Sequence, residues 1–309
     1  MDPPVDSGGS PHARGAGASP PRRPLASRAR IVVRVPCPSA SLAVWSAAWL
    51  AGAAAADDVL DALAPWSEAH DVVGADAATA AVTDLPTPDR AGAGLAALLA
   101  IARRRAVPTG PSDWSSSAAL RVPDARIVLP APGDVRGLPG PDALRAAALE
   151  AGECAVLAGP GLALVPSPVA DGVLRWTVHL VDDVPPAAHP SLADAEHDLR
   201  GAVRGAADTL DALDVARPRR GVREEIADTL RRRPHPTWPA GTPGRPLRVL
   251  QHADEVEAIL LAASGDDPGG AVSSSAALAR TDALRPLATA VRAARVAAVA
   301  ETVRVLTAA

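Results

Sequence analysis

The feature that most constrains the fold of this chain is a change in the spacing of its apolar residues at the Pro-rich segment 184–190. Before this segment, short apolar runs alternate with helical stretches. In residues 173–181 every second side chain is apolar, as at Leu174, Trp176 and Val178, which is typical of a strand with one buried face. After the segment, apolar residues recur only every three or four positions. The sequence therefore predicts an α/β fold with a mixed sheet covered by helices, followed by an α-helical C-terminal region.

The chain divides into three predicted segments. Residues 1–29 are rich in Pro, Gly, Ser and Arg and carry few apolar side chains, so we predict a disordered N-terminal extension. Residues 30–183 form the predicted mixed α/β domain, and residues 184–309 form the α-helical region. We expect strands over 31–35, 71–74, 126–129, 154–157, 162–165 and 173–181, and 154–157 with 162–165 should form a hairpin. We expect helices over 41–52, 57–63, 90–105, 141–151, 191–213, 222–232, 246–263 and 275–307. Gly152 should end the helix 141–151, and Ser191 should cap the helix 191–213.

The residue types that are missing exclude several reaction classes. The sequence contains no Lys, Asn, Phe or Tyr, and all 31 basic side chains are Arg. The codons of the missing residues are AT-rich, which indicates a high-GC bacterial source. Without Lys the chain has no P-loop lysine and no Schiff base with pyridoxal phosphate. Cys37 and Cys154 lie far apart without a CxxC motif, so we predict buried thiols in a reducing cytoplasm, with no metal and no cofactor.

Residues 38–56 contain no charged side chain, and this run allows two interpretations. An uncharged run after several arginines resembles a signal peptide. Leu42, Trp45 and Trp49, however, recur at the spacing of one helix face, which favours a helix of a folded cytoplasmic protein. No other uncharged apolar run approaches the length of a membrane span, so we expect no membrane contact.

Residues 133–140 form a candidate anion site, because this Gly-rich loop leaves a predicted strand and opens a predicted helix. Free backbone N–H groups at such a position attract anions, and Arg136 adds a guanidinium. We therefore predict that Gly133, Asp134, Arg136 and Gly137 bind an anion. The glycine spacing matches neither GxGxxG nor the Walker pattern, and a tight turn alone also accounts for these glycines.

Residues 217–248 form a candidate polyanion contact, because nine arginines stand there against three carboxylates. Arg231, Arg232 and Arg233 are the densest part of this segment, and a local basic surplus can bind nucleic acid or another polyanion. The alternative, which we favour, is that the three arginines complement the C-terminal end of a helix. The chain contains no recognised nucleic-acid motif.

The final predicted helix places Arg285 and Arg292 on nearly the same stripe as Val296. Arginines on an apolar stripe need anions. Glu257 on the preceding helix is one candidate partner, and an acidic protein or a second copy of the chain is the alternative. A His197-Asp198 dipeptide resembles part of a helical metal site, but its position on a polar helix face favours a solvated histidine.

Three functional hypotheses remain, and whether the chain is an enzyme stays open. The first, which we place ahead of the others, is a non-catalytic binding or regulatory protein that acts through its helical half, because no catalytic set is assembled. The second is an enzyme that acts on an anionic small molecule bound at residues 133–140. The third is a nucleic-acid-associated protein that uses residues 217–248.

Overall fold

The computed structural model describes Met1 and residues 37–106, 124–187, 189–212, 220–265 and 274–308. Of residues 264–265 and 274–280 only the backbone is described. Helices and strands alternate up to Leu180, and only helices follow, which confirms the predicted fold class. The first part contains α1 (Pro38–Leu50), α2 (Ala56–Leu63), β1 (Ala69–Gly74), α3 (Ala77–Thr83), α4 (Leu95–Ala106), β2 (Ala125–Val128), α5 (Asp142–Ala151), β3 (Cys154–Leu157), β4 (Leu162–Ala170) and β5 (Val173–Leu180). The second part contains α6 (Leu192–Ala212), α7 (Val222–Arg232), α8 (Gly244–Gly265) and α9 (Ser274–Thr307).

The described strands form one mixed sheet in the order β1-β5-β4-β3-β2. β1 pairs with β5 in parallel, and the other three pairs are antiparallel. The predicted hairpin of β3 and β4 is therefore confirmed. β2 is the last described strand on its side of the sheet, which leaves its outer edge to be covered by other elements.

One face of the sheet packs against α1, α2, α4 and the second half of α9. Trp176 of β5 is fully buried in this core. Its indole Nε1 donates to Nδ1 of His70, and Nε2 of His70 lies 2.9 Å from the carbonyl oxygen of Leu63. The acceptor role of Nδ1 makes His70 neutral, and burial lowers its pKa. This chain of hydrogen bonds joins the end of α2 to both parallel strands.

The uncharged run 38–56 contributes helix α1 to that core. This helix is buried from Pro38 to Ala48, and a helix without charge on any side suits the interior of a protein. Trp45 donates through Nε1 to the carbonyl oxygen of Thr237 at 2.9 Å, so α1 also holds the segment between α7 and α8. No helix in the described part of the chain has the length and apolar character that a membrane span requires.

The opposite face of the sheet is covered by α5 over β2, β3 and β4. Leu144 and Ala148 of this helix are fully buried against Val156 and Ala163. The helix ends at Gly152, whose φ of 76° is the left-handed conformation that favours glycine. The predicted end of this helix is therefore confirmed.

α9 connects the helical region to the sheet. Leu284, Leu287 and Val291 of this helix pack with α6 and α8. Val299 and Val303, nearer its C-terminal end, belong to the core around α1 and β5. Two stretches of one helix are therefore buried in two different cores, and the face from Thr289 to Val296 lies beside β2.

The remaining differences from the sequence-based expectations are small. α3 was not predicted, and β4 continues to Ala170 instead of ending at Val165. The Ser191 hydroxyl caps α6 by accepting from the backbone N–H of Asp194 at 3.1 Å, as predicted. The predicted strand 31–35 and the predicted extension 1–29 lie outside the described residues, apart from Met1, and the boundaries of the predicted segments stay a prediction.

Candidate functional site

An arginine-lined cavity of about 410 Å³ lies between β2, the loop that follows it, the segment before α6 and one face of α9. A volume of this size falls in the range of small-molecule sites, roughly 300–1,000 Å³. The described residues that line it are Arg126, Ile127, Val128, Leu129, Asp134, Arg136, Gly137, Ala187, His189, Pro190, Thr289, Arg292, Ala293 and Val296. Below we call it the arginine cavity.

The secondary structure explains why these residues meet. Successive side chains of a strand point to opposite faces, so four successive residues from Arg126 to Leu129 can line one cavity only along the free edge of β2. The α9 residues, from Thr289 to Val296, follow helical spacing and share one helix face. The cavity therefore lies where the sheet edge meets α9.

Arg126 is the least solvated cation of the cavity. It is only 5% exposed, and its Nη2 donates to the carbonyl oxygen of Pro185. Its Nε and Nη1 are buried and have no hydrogen-bond partner among the described residues. Burial lowers the pKa of Arg126, although the nearby charge of Asp124 opposes this shift. A guanidinium in such a place is costly unless an anion accepts its hydrogen bonds.

Asp134 and Arg136 form a pair at the rim. Nε and Nη2 of Arg136 donate to the two carboxylate oxygens of Asp134, each at 2.9 Å, while 81% of the Arg136 side chain remains exposed. These hydrogen bonds hold the pKa of Asp134 below its usual range. Gly133 and Gly137 both have φ near 85°, so the two flanking turns require glycine.

Arg292 enters the cavity from α9. Its Nη2 donates to the hydroxyl of Thr289 at 3.2 Å, and it makes no ion pair with a described side chain. Burial lowers its pKa, and the charge of Asp134 opposes the shift. The cavity thus contains three guanidinium groups, while Asp134 is the one carboxylate among its described lining residues. This surplus of positive charge suits an anion.

Comparison with known proteins places this chain in a bacterial family. A family model described as "Rv1486c-like protein, N-terminal domain" matches residues 39–190, and one described as "Rv1486c-like protein, C-terminal domain" matches residues 193–296. The chain belongs to the Rv1486c-like family. Both matched regions contribute to the arginine cavity, because Arg126 lies in the first and Arg292 in the second.

Three mycobacterial relatives illustrate the match. The chain is 39% identical over 295 residues to "Uncharacterized protein Rv1486c" of Mycobacterium tuberculosis, covering 85% of this chain and 96% of the relative. It is 37% identical over 291 residues to "Uncharacterized protein ML1804" of Mycobacterium leprae and 36% identical over 311 residues to "Uncharacterized protein MAV321" of Mycobacterium avium, with the same coverage. These high-GC bacteria agree with the source indicated by the codon bias. No solved structure matches the chain.

The structure separates the three arginines of the predicted polyanion contact. Arg231 and Arg232 lie in the last turn of α7, with 69% and 83% of their side chains exposed, and both are within ion-pair distance of Asp228. Arg233 is instead buried between Asp254 at 2.9 Å and Glu257 at 3.0 Å. Of these three arginines, two are therefore exposed and the third is held in ion pairs inside the protein.

The predicted partner of Arg285 and Arg292 is wrong. Glu257 contacts Arg295 at 2.5 Å and Arg233 at 3.0 Å, because the Arg295 face of α9 is turned toward α8. Arg285 is exposed and pairs with Asp282 one turn earlier at 2.6 Å. Arg292 lies in the arginine cavity, so the two predicted contact residues belong to different environments.

A buried ionic cluster adjoins the N-terminal end of α1. Asp254, Glu257, Arg233 and Arg295 pair with one another, and the carboxylate of Glu153 accepts from the backbone N–H of Ser39 at 2.9 Å. Burial raises the pKa of Glu153 to about 7. The four paired residues are balanced in charge, and they join α8 and α9 to the end of α7.

The two cysteines were predicted to be buried thiols, and this is confirmed in full for only one of them. Cys37 and Cys154 are both free, and burial raises the pKa of each, which disfavours the thiolate. Cys154 is fully buried, whereas Cys37 is half-buried.

His197 is exposed, and no group of three or more His, Cys, Asp or Glu side chains in the described ranges is placed to hold a metal ion.

The sequence alone does not identify Arg126 as a site residue. Arg126 lies in a predicted strand, and its contact with Pro185 joins residues that are distant in the sequence. The available signal was an arginine in an otherwise apolar strand, since buried strands seldom carry an unpaired charge. Of the loop residues predicted to bind an anion, Asp134, Arg136 and Gly137 line the same cavity as Arg292. Gly133 is not among the described lining residues.

Proposed function

We propose that this protein binds a small anionic molecule in the arginine cavity and holds it through a phosphate or carboxylate group. The observation that carries this proposal is Arg126, whose buried Nε and Nη1 lack partners among the described residues. Both nitrogens are closed to solvent, so an anion reaches them only when the side chains around Arg126 shift, and it then accepts two charge-assisted hydrogen bonds from one guanidinium. Arg136 and Arg292 supply further positive charge from the rim and from α9.

The proposal combines two of the sequence-based hypotheses. The ligand is the anionic small molecule expected at residues 133–140, and α9 of the helical half provides one wall of its site. Among the described lining residues, His189 is the only imidazole, and it is exposed. We therefore propose binding and assign no catalytic step. The nucleic-acid hypothesis stays a prediction.

The test is isothermal titration of the full chain with inorganic phosphate and, separately, with succinate. The variant Arg126→Met removes the charge and keeps an apolar side chain of similar length. We expect it to weaken binding of the preferred anion at least tenfold, because a hydrogen bond to a charged group contributes about 1.5–3 kcal/mol. Arg285→Met is the matched control, since Arg285 is exposed and outside the cavity, and its affinity should equal that of the wild type.

Thermal unfolding provides a second readout. Without added anion, Arg126→Met should melt no lower than the wild type, because replacing a buried unpaired charge by an apolar group is often neutral or stabilising. Added phosphate or succinate should then raise the melting temperature of the wild type and of Arg285→Met only. Absence of binding of both anions to the wild type, or equal binding to Arg126→Met, would overturn the proposal.

A further inference from the structure

We propose that the ligand is an amphiphilic anion, in which the phosphate or carboxylate is joined to an apolar body that fills the rest of the arginine cavity. This inference rests on the proposed function and specifies the class of ligand. Three observations support it: the apolar share of the lining, the order of polar and apolar residues along α9, and the anchoring of the apolar wall in the protein core.

The first observation is the composition of the cavity wall. Half of the described lining residues have apolar side chains, among them Ile127, Leu129, Pro190 and Val296. A site built for a free inorganic anion needs donors on all sides of a small ion. A cavity of about 410 Å³ with an apolar half has room for much more than one phosphate. Its walls match the usual small-molecule site, which is mostly apolar with a few placed polar groups.

The second observation is the order of side chains on α9. Thr289 and Arg292 come first along the helix, and Ala293 and Val296 follow toward its C-terminal end. At 1.5 Å per residue, Thr289 and Val296 are separated by roughly 10 Å along the axis. Arg292 is the one charged residue among these four, so it marks the polar end of this face. The apolar body therefore extends from there toward Val296.

The third observation is that the apolar wall cannot withdraw from the ligand. Val128 is buried in the core beneath α5, while Ile127 and Val296 belong to the core around α1. These packed side chains hold the edge of β2 and the adjoining face of α9 in place, so the apolar surface of Leu129, Pro190 and Val296 is fixed. A fixed apolar surface gains affinity from each methylene that it removes from water.

The experiment is a titration of the full chain with inorganic phosphate, methyl phosphate, butyl phosphate and hexyl phosphate, repeated with acetate, butyrate and hexanoate. The headgroup series that binds identifies the anionic group. Within that series we expect the dissociation constant to fall about fourfold per added methylene until the cavity is filled. The variant Val296→Thr keeps the side-chain volume and replaces one methyl group by a hydroxyl, so it should reduce the gain per added methylene.

The outcomes separate this inference from the proposed function. If the shortest anion binds through Arg126 but longer chains bind no more tightly, the amphiphilic ligand is contradicted and the proposed function stands. If longer chains bind more tightly but Arg126→Met does not weaken them, the ligand lies elsewhere and both proposals fail. Thermal melts confirm that Val296→Thr is folded, and Ala293→Ser is a second test on the same helix face.

Discussion

Glu153 is the buried carboxyl whose protonation should set the pH dependence of stability. Its side chain is buried beside Ser39, and burial raises its pKa from the ordinary 4.5 to about 7, while hydrogen bonds from Ser39 and the charge of Arg295 oppose the shift. The folded state therefore keeps the Glu153 proton up to about pH 7, whereas the unfolded chain releases it near pH 4.5. The free energy of unfolding that this difference contributes is fully present below pH 4.5 and is lost as the pH rises to about 7.

We expect Glu153→Gln to remove this dependence. Between pH 5 and pH 8 the wild type should lose on the order of 3 kcal/mol of unfolding free energy through this group. The variant, whose side chain has no proton to release, should show a flatter profile over the same range. Urea unfolding at both pH values measures the difference. Equal slopes for the two proteins would show that Glu153 titrates normally.

The residues around Glu257 allow a matched comparison of a buried and an exposed ion pair. Glu257→Gln leaves Arg233 and Arg295 with Asp254 as their remaining carboxylate among the ion pairs described, and should cost on the order of 3 kcal/mol. The same type of change at Asp282, which pairs with Arg285 on the surface, should cost about 0.5 kcal/mol or less. Chemical denaturation of both variants tests this. Similar losses would contradict the assignment of a buried cluster at Glu257.

At the scale of single elements, the turn between β3 and β4 has a strict requirement for glycine. Gly161 has a φ of +67°, and a Cβ at this position would lie 2.8 Å from the carbonyl oxygen of Val181. Gly161→Ala should therefore cost more than the roughly 1–2 kcal/mol of the left-handed conformation alone. Gly52→Ala is the control, because Gly52 has a φ of +82° with no described atom within 4 Å of the added Cβ. Equal unfolding free energies for the two variants would contradict the close approach.

Long elements with a clear period could be predicted from the sequence, whereas short elements and contacts between elements could not. α6 was located by its capping serine at Ser191 and its apolar stripe, and α5 by Gly152 at its end. α3 has only seven residues, mostly alanine, and shows no apolar face. The choice of Arg295 over Arg292 as the partner of Glu257 depends on how α8 and α9 are rotated. That rotation is set by packing and leaves no local signal.

At the scale of the whole molecule, α9 unites parts of the chain that the sequence separates. One stretch of this helix packs with α6 and α8, and a stretch nearer its C-terminal end packs with α1 and the sheet. The arginine cavity lies between β2 and the face from Thr289 to Val296, so its shape depends on the docking of the helical region against the sheet edge. The sequence alone predicts an anion site in the loop at residues 133–140, and that site stays a prediction. Its partners Arg126 and Arg292 could be assigned to it only by the fold.

The central claim is that Arg126 binds an anion in the arginine cavity, and a crystal structure with a heavy oxyanion tests it most directly. Tungstate has the tetrahedral shape of phosphate and a strong anomalous signal. Crystals of the wild type and of Arg126→Met would be prepared at the same tungstate concentration. We predict an anomalous peak within hydrogen-bond distance of Nε and Nη1 of Arg126 in the wild type, and its loss in the variant. An unchanged peak in the variant, or a wild-type cavity in which protein or solvent atoms satisfy both nitrogens while tungstate binds elsewhere, would contradict the claim.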